Sequence, residues 1–142
     1  MTLYTRIDLE KTNYELLENY QILINPDPEQ LEHVYNQYCI YKKFKSVMPI
    51  FPEEYIDPKN DVIGYYDNRL VAFSLTRKYN SENVEAIQFA WDYKNPSLKL
   101  GIESLKNECA LYKKLGFRYY YLGESMKYKK QIDGFEILPP RY

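Results

Sequence analysis

The chain has 142 residues, of which 45% are apolar and 27% charged, with a net charge of −1. This length fits one domain with a substantial core, and the near-zero charge excludes binding of nucleic acid through overall charge, so any contact with RNA requires a local basic patch. No apolar run approaches the roughly 20 residues of a membrane span, and the opening MTLYTRIDLEK lacks the apolar region of a signal peptide, so we expect a cytoplasmic protein without membrane contact.

The first predicted elements are a short strand at residues 20–24 and a helix of about four turns that begins at Pro28. Asp27 precedes that proline as a capping residue, and Glu29 suits the positive end of the helix dipole. The helical spacing predicts that one stripe faces the core, namely Leu31, Val34, Tyr38 and Tyr41. Residues 51–57 form a turn or a short helical piece between prolines.

A hairpin and a third strand follow. In DVIGYYDNRLVAFSLTRKY, two runs rich in β-branched and aromatic residues flank Asp67 and Asn68, which tolerate a positive φ. The third strand, VEAIQFAWDY, comes after the polar turn NSEN. The order then predicts a second helix that stops at Gly116, with an apolar stripe formed by Leu98, Ile102, Leu105, Cys109 and Tyr112.

FRYYYLGE is predicted as a further strand, and GFEIL near the end as another. No repeat or linker interrupts the pattern, so we expect a single domain over residues 1–142. The order of elements resembles the GNAT acyltransferase fold, an α/β (α+β) arrangement with a mixed, mostly antiparallel sheet and flanking helices. The strand-helix-strand crossover between residues 86 and 123 is the unit that forms a site at the carboxyl ends of strands.

The loop before the second helix argues against a conventional coenzyme A site. GNAT enzymes hold a pyrophosphate there with closely spaced glycines, whereas this chain has Pro-Ser-Leu-Lys-Leu-Gly. In one register Lys99 replaces the first glycine, and in the other Glu103 replaces the second. Neither register leaves the backbone open to a pyrophosphate.

From about Asn19 to Tyr142 the chain resembles the C-terminal, GNAT-like domain of aminoacyl-tRNA–protein transferases, the arginyl- and leucyl-transferases. Four segments carry the resemblance, in order and at nearly ungapped spacing: Trp91-Asp92 before Leu100-Gly101, Leu115-Gly116, Tyr120 to Gly123, and Met126 with Tyr128-Lys129 before Glu136 and Leu138. The hairpin segment NRLVAFSLT also matches. The family's cysteine-bearing N-terminal domain has no counterpart in these residues, and the loop after Gly123 is shorter than in the family.

The resemblance implies a charged tRNA as donor and an amine, on a peptide, protein or small molecule, as acceptor. The protein must then orient the amine, accept its proton, stabilise the tetrahedral oxyanion and bind the RNA end. Asp92 ends the central strand and is the first candidate to orient the amine, Glu124 is a second candidate base, and Tyr128 can donate to the oxyanion or stack on the terminal adenine. The implied substrate and tRNA contacts are Trp91, Lys99, Gly101, Gly123, Lys127, Lys129 and Lys130.

Each candidate also has a plain structural interpretation. Asp92 can cap the following loop, Glu124 can pair with a surface lysine, and the lysines can simply form a solvated surface. Cys39 and Cys109 are expected as buried, reduced thiols, and His33, the single histidine, rules out a histidine-based metal cluster. We expect no tightly bound cofactor, no metal and no DNA partner.

Two other functions remain open on the sequence. One is an acyl-CoA-dependent N-acetyltransferase with a degenerate loop, which would use acetyl-CoA. The other is a non-catalytic binding protein, of viral or mobile-element origin. A homodimer is compatible with the fold, although no residue establishes it.

Overall fold

The computed structural model describes residues 4–42, 52–92, 100–124 and 132–138. Two long helices, α1 and α2, accompany seven strands in the described residues. The helices are α1 (Pro28–Lys42) and α2 (Leu100–Lys114). The strands are β1 (Tyr4–Asp8), β2 (Tyr20–Leu23), β3 (Asn60–Tyr66), β4 (Leu70–Lys78), β5 (Asn83–Trp91), β6 (Tyr119–Glu124) and β7 (Phe135–Leu138). Short 3-10 helices lie at Leu9–Lys11 and Pro52–Tyr55.

The strands form one sheet in the order β2-β3-β4-β5-β6-β1-β7. All neighbouring pairs are antiparallel except β5 and β6, which α2 connects in parallel. The predicted mixed, mostly antiparallel sheet is therefore confirmed. It places β5 at the centre, with the first three residues of β5 paired to the first three of β6.

The two helices pack on opposite faces of the sheet. Successive side chains of a strand point to opposite faces, so they join two separate apolar clusters, one beneath each helix. Val62 and Phe73 pack with α1, while their neighbours Ile63 and Ala72 pack with α2. The expected stripe of α2 is confirmed for Leu105, Cys109 and Tyr112, which are buried, and for Ile102, which is half-buried. Leu98 lies outside the described residues. Neither described helix has the length and apolar character needed to cross a bilayer.

The predicted helix ends and the turn are confirmed. The backbone N–H of Glu29 donates to Oδ1 of Asp27 at 3.0 Å. Asn68 has φ +64° at the hairpin, and Gly116 has φ +94° after α2. These positive values explain why the sequence places asparagine and glycine there. Leu31 and Val34 of α1 face the core as expected, with Tyr38 half-buried, and the side chain of Tyr41 is not described.

Strand β1 was not predicted. It lies between β6 and β7 and pairs with both, so its residues are interior to the sheet rather than at its edge. Its polar side chains find partners across the sheet: Arg6 Nε lies 2.8 Å from Glu136 Oε2, and Asp8 Oδ1 lies 3.0 Å from Arg118 Nε. The sequence gives no local sign of this strand, because the partners of its polar side chains lie more than a hundred residues further along the chain.

Candidate functional site

The parallel strands β5 and β6 pair over three residues each, from Asn83 to Glu85 and from Tyr119 to Tyr121. Both strands continue beyond this pairing, β5 to Trp91 and β6 to Glu124. A cavity of about 150 Å³ lies where they separate, with α2 as its floor. Its apolar lining includes Ala86, Phe89, Leu105 and Leu122, and its polar lining includes Ser74, Ser104, Glu108 and Tyr120. We call this cavity the cleft.

A β-bulge lies beside the cleft. Leu75 of β4 pairs with Gln88 of β5, but the next residue, Thr76, pairs with Ala86, so Ile87 is the extra residue. A bulge bends the strand and interrupts the ladder of hydrogen bonds. Here it falls just beyond the short pairing with β6, where β5 departs from its neighbour.

Glu108 is the carboxyl group of the cleft, and it is only 3% exposed. Its Oε2 accepts hydrogen bonds from the hydroxyls of Tyr65 at 2.6 Å and Ser74 at 2.7 Å. Its Oε1 accepts a short hydrogen bond from the Tyr120 hydroxyl. One helical residue therefore contacts three strands, β3, β4 and β6, which flank the cleft.

Burial raises the pKa of Glu108, and the three hydroxyl donors oppose that rise without cancelling it. Burial and the neighbouring carboxyl also raise the pKa values of Tyr65 and Tyr120 well above 10, so both hydroxyls stay protonated at neutral pH and donate. A buried carboxyl with a raised pKa in a cleft is a candidate for function, because it can exchange a proton nearer neutrality than an exposed glutamate can.

Gly101 lines the same cleft from the first turn of α2. A Cβ built on Gly101 would meet no atom of the described residues within 4 Å, so no side chain among them requires glycine here. The four N-terminal N–H groups of a helix have no partner within the helix, and they carry its positive end. The described space beside Gly101 is thus open, and a ligand there can accept hydrogen bonds from the first turn of α2.

Asp92 follows β5 directly and is buried, with 4% of its side chain exposed. Its Oδ2 lies 2.9 Å from Arg69 Nη1 and 3.5 Å from His33 Nε2, and Arg69 Nη2 also donates to the Asp92 carbonyl at 3.2 Å. Among the described residues, Oδ1 of Asp92 is buried without a hydrogen-bond partner. These three side chains line a second cavity of about 280 Å³, together with Gln30, Val34 and Leu70.

The other sequence candidates are placed as follows. Trp91 packs edge-to-face on Tyr38 of α1, with ring centroids 5.1 Å apart. Gly123 pairs with Thr5, and Glu124 is the last residue of β6, opposite Tyr4. Asp92 thus follows β5 directly and Glu124 ends β6, while the two strands pair only over Asn83–Glu85 and Tyr119–Tyr121. Lys99, Lys127, Tyr128, Lys129 and Lys130 lie outside the described residues.

Sequence reasoning missed Glu108, Arg69 and the position of His33. Glu108 had a visible signal, since it falls between Leu105 and Tyr112 on the stripe of α2 that faces the core. A charged residue on such a stripe needs partners in the core. Arg69 and His33 had no such signal. Both are partly exposed polar residues, and only the folded chain brings them next to Asp92. In the described part of the chain, no group of three or more His, Cys, Asp or Glu is placed to hold a metal ion.

Cys39 and Cys109 are buried and free, as the sequence predicts. Burial, reinforced by the adjacent Glu108, raises the pKa of the Cys109 thiol, so this cysteine is not a nucleophile at neutral pH. The candidate chemistry of the described residues therefore lies with carboxyl and hydroxyl groups.

Solved structures with this arrangement of strands and helices define the fold as GNAT-like. The C-terminal domain of a protein named as a lysylphosphatidylglycerol synthetase from Agrobacterium fabrum has a TM-score of 0.69 at 10% identity, over 87% of this chain and 47% of that chain. L-PGS from Bacillus licheniformis has a TM-score of 0.62 at 15% identity, over 87% and 46%. An acetyltransferase of the GNAT family from Novosphingobium aromaticivorans has a TM-score of 0.63 at 13% identity, over 94% and 58%. The chain thus spans less than two thirds of each of these proteins.

Sequence comparison is more specific than the fold. The pattern of the family described as "Arginine-tRNA-protein transferase, C terminus" matches residues 12–139, nearly the whole chain. The chain belongs to this family, and the resemblance drawn from its motifs is confirmed. No curated protein shows significant similarity to it.

Proposed function

We propose that the chain transfers an aminoacyl group from a charged tRNA to a primary amine. The observation that carries this proposal is the cleft where β5 and β6 separate, in a chain of the arginine-tRNA-protein transferase family. A strand-helix-strand crossover presents polar groups and a helix N-terminus at this place. The family membership supports the tRNA donor, and the cleft supports a site for its aminoacyl end.

The reaction needs little activation, because the aminoacyl ester is already reactive. The amine nitrogen attacks the ester carbon, the C–N bond forms, the C–O bond to the terminal ribose breaks, and the ribose hydroxyl leaves with a proton. The amine must be positioned and must give up a proton as it attacks. Asp92 is our candidate for binding the amine, because its buried Oδ1 has no partner among the described residues and the residue lines a cavity large enough for a small group.

Glu124 remains a proposed second base at the neighbouring strand end, and Tyr128 a proposed donor to the oxyanion. Trp91 and Gly123 are proposed to border the aminoacyl end, and the space at Gly101 is proposed to admit a ligand backbone or phosphate. Lys99, Lys127, Lys129 and Lys130 are proposed to contact the RNA backbone. A local lysine patch is required for this, since the net charge of −1 supplies no general attraction for RNA.

The direct test is transfer of a radiolabelled amino acid from charged tRNA to a peptide with a free N-terminus. We expect the wild-type chain to label the peptide, and Asp92→Asn to lose at least about tenfold in kcat/KM, which corresponds to about 1.4 kcal/mol of transition-state stabilisation. An unlabelled peptide, with several amino acids tried as the donor group, would refute the proposal.

Binding of charged tRNA supplies an independent measurement. Each phosphate contact contributes to the slope of log Kd against log salt, so Lys129→Ala should reduce that slope by about 0.7–0.9. Lys59→Ala is the matched control, because Lys59 is an exposed lysine outside the proposed RNA contacts. Equal salt slopes of Kd in wild type and Lys129→Ala would show that Lys129 does not contact an RNA phosphate.

Binding of acetyl-CoA distinguishes an acetyl-CoA donor from a charged-tRNA donor. The wild-type chain should show no increase in its midpoint of thermal unfolding with saturating acetyl-CoA, because the loop lacks the paired glycines. A ligand present at a hundredfold excess over its Kd adds about 2.7 kcal/mol and shifts the midpoint by several degrees. Such a shift would favour acetyl transfer over aminoacyl transfer. Binding of tRNA without any transfer would instead favour a non-catalytic binding protein.

A further inference from the structure

Glu108 is a buried carboxyl group without a cationic partner among the described residues. In the part of the chain that the structure describes, no lysine, arginine or histidine pairs with it, and its only polar partners are neutral hydroxyls. Arg118, by contrast, pairs with the buried Asp8 at 3.0 Å, and Arg69 with the buried Asp92 at 2.9 Å. Glu108 is therefore the exception among these three buried carboxyl groups.

The hydrogen bonds around Glu108 leave one position open. An ionised carboxylate offers about four acceptor positions, two on each oxygen. Oε2 accepts from Tyr65 and Ser74, whereas Oε1 accepts from Tyr120 alone. Because Glu108 lines the cleft, a donor for the remaining position of Oε1 can come from a ligand in that cleft.

We propose that the cleft between β5 and β6 binds a primary ammonium group, which donates a hydrogen bond to Oε1 of Glu108. A cation that is itself a donor meets both needs of the site, since it compensates the buried charge and fills the last acceptor position. The cavity of about 150 Å³ is of the size that binds benzene in other proteins, so an ammonium with a short carbon chain fits it. A guanidinium, which is flat and has five donors, is a poorer match to a single open position.

This inference rests on the proposed function for the origin of the ammonium. Two parts of the proposed reaction contain one: the aminoacyl donor, on its α-carbon, and the amine acceptor. If the ammonium is that of the donor, Glu108 selects aminoacyl groups over simple acyl groups such as acetyl. Glu108 then determines which class of donor the cleft accepts.

The pH dependence of binding follows from the groups around Glu108. Tyr65, Ser74 and Tyr120 donate hydrogen bonds to it from β3, β4 and β6, and Cys109 and Tyr112 of α2 interact with its charge. Asn107 donates to the Tyr65 hydroxyl. The titratable ones among them have pKa values raised further above neutrality, so Glu108 is the group that changes charge. Binding of an ammonium favours the ionised carboxyl. Affinity should therefore rise as pH rises through the pKa of Glu108, and fall when the ligand ammonium loses its proton.

Three small probes test the site on the full chain: alaninamide, propionamide and ethylammonium. Alaninamide and propionamide share the same carbon skeleton and differ in the ammonium. We expect alaninamide to shift the backbone amide resonances of Ser104 and Leu122 in two-dimensional NMR, with propionamide at least tenfold weaker. Equal binding of the two amides would overturn the proposal. Tighter binding of alaninamide than of ethylammonium assigns the ammonium to the donor, and the reverse order assigns it to the acceptor.

The matched variants are Glu108→Gln and Asp61→Asn. Asp61 also accepts a hydrogen bond from a tyrosine of α2, Tyr112 at 2.9 Å, but does not line the cleft. Glu108→Gln should lose at least tenfold in affinity for alaninamide, whereas Asp61→Asn should stay within twofold of wild type. Equal affinity in Glu108→Gln and wild type would overturn the proposal.

If Glu108→Gln does not fold, calorimetry of the wild-type chain supplies the test. Below the pKa of Glu108, binding of alaninamide should release a proton to the buffer, which two buffers of different ionisation enthalpy detect. Absence of proton release across the acidic range would count against the site. If the chain binds the ammonium probes but transfers no amino acid from charged tRNA, the ammonium site stands and the proposed function is refuted. If transfer occurs at the same rate in Glu108→Gln and wild type, the proposed function stands and the ammonium site is refuted.

Discussion

The two partners of the Arg69–Asp92 ion pair should differ in their effect on stability. Loss of the arginine should destabilise the protein more than loss of the aspartate charge. The side chain of Asp92 is 4% exposed, whereas that of Arg69 is 47% exposed. Arg69→Ala leaves a buried carboxylate without its cation, and Asp92→Asn leaves a guanidinium that water can solvate. The direction follows from which partner is buried.

The magnitudes can be worked from the geometry. Removal of one partner from a fully buried ion pair costs about 3–5 kcal/mol, and water reaching the exposed side of this pair reduces that, so we expect about 2–3 kcal/mol for Arg69→Ala. In Asp92→Asn the amide oxygen still accepts from Arg69, and we expect about 1 kcal/mol. His33 lies 3.5 Å from the same oxygen and is 63% exposed, so it replaces little of the lost pairing.

Equilibrium unfolding in urea measures these differences at pH 7. Arg77→Ala is the matched control, because Arg77 lies 3.9 Å from Asp57, whose side chain is 34% exposed rather than buried, and its cost should be below about 1 kcal/mol. The double variant of Arg69→Ala with Asp92→Asn should be more stable than Arg69→Ala alone. A cost for Arg69→Ala no larger than that for Asp92→Asn would show that Asp92 is solvated in the folded chain, and the reasoning would be wrong.

Three further variants test other parts of the structure. Gly101→Ala should stabilise the chain by about 0.5–1 kcal/mol in urea unfolding, since the new methyl group meets no atom within 4 Å; destabilisation would mean that the space is not open. Gly134→Ala should destabilise it by at least about 2 kcal/mol, because Gly134 has φ +76° and its Cβ would collide with the Asp8 carbonyl oxygen; an unchanged urea midpoint would exclude that turn geometry. Hydrogen bonds from Arg118 lower the pKa of Asp8, so this carboxylate stabilises the fold above about pH 4, and the effect is lost as pH falls through the lowered pKa. The stability difference between wild type and Asp8→Asn should therefore shrink in acid, and a difference that is constant from pH 6 to pH 3 would contradict the pairing.

Elements with local signals were predictable from the sequence. The proline and acidic residues before α1, the Asp67-Asn68 turn and Gly116 after α2 each constrain the backbone within a few residues, and the structure has the expected geometry at these positions. Strand β1 lacked such a signal. Its register depends on β6 and β7, which lie more than a hundred residues further along the chain.

The candidate site was predictable only in part, for the same reason. The position of Asp92 at the end of the central strand follows from the order of elements, but its ion pair with Arg69 depends on the register of β4 against β5. Glu108 could have been noted as a charge on an apolar stripe. Its three hydroxyl partners come from three strands, and no pattern within α2 specifies them.

The two carboxyl groups near the carboxyl end of β5 have different electrostatic surroundings, and this difference bears on the chemistry. Asp92 has an arginine beside it and, among the described residues, one unpartnered oxygen that can accept a hydrogen bond. Among the described residues Glu108 has only neutral donors, and burial raises its pKa, so it can change its protonation state when a charged ligand arrives. Asp92 lines the cavity beside α1 and Glu108 lines the cleft beside α2, so each carboxyl group offers a separate place where an ammonium group can bind. The arrangement is therefore suited to amine chemistry even though the glycine-rich phosphate loop of acyl-CoA enzymes is missing from the sequence.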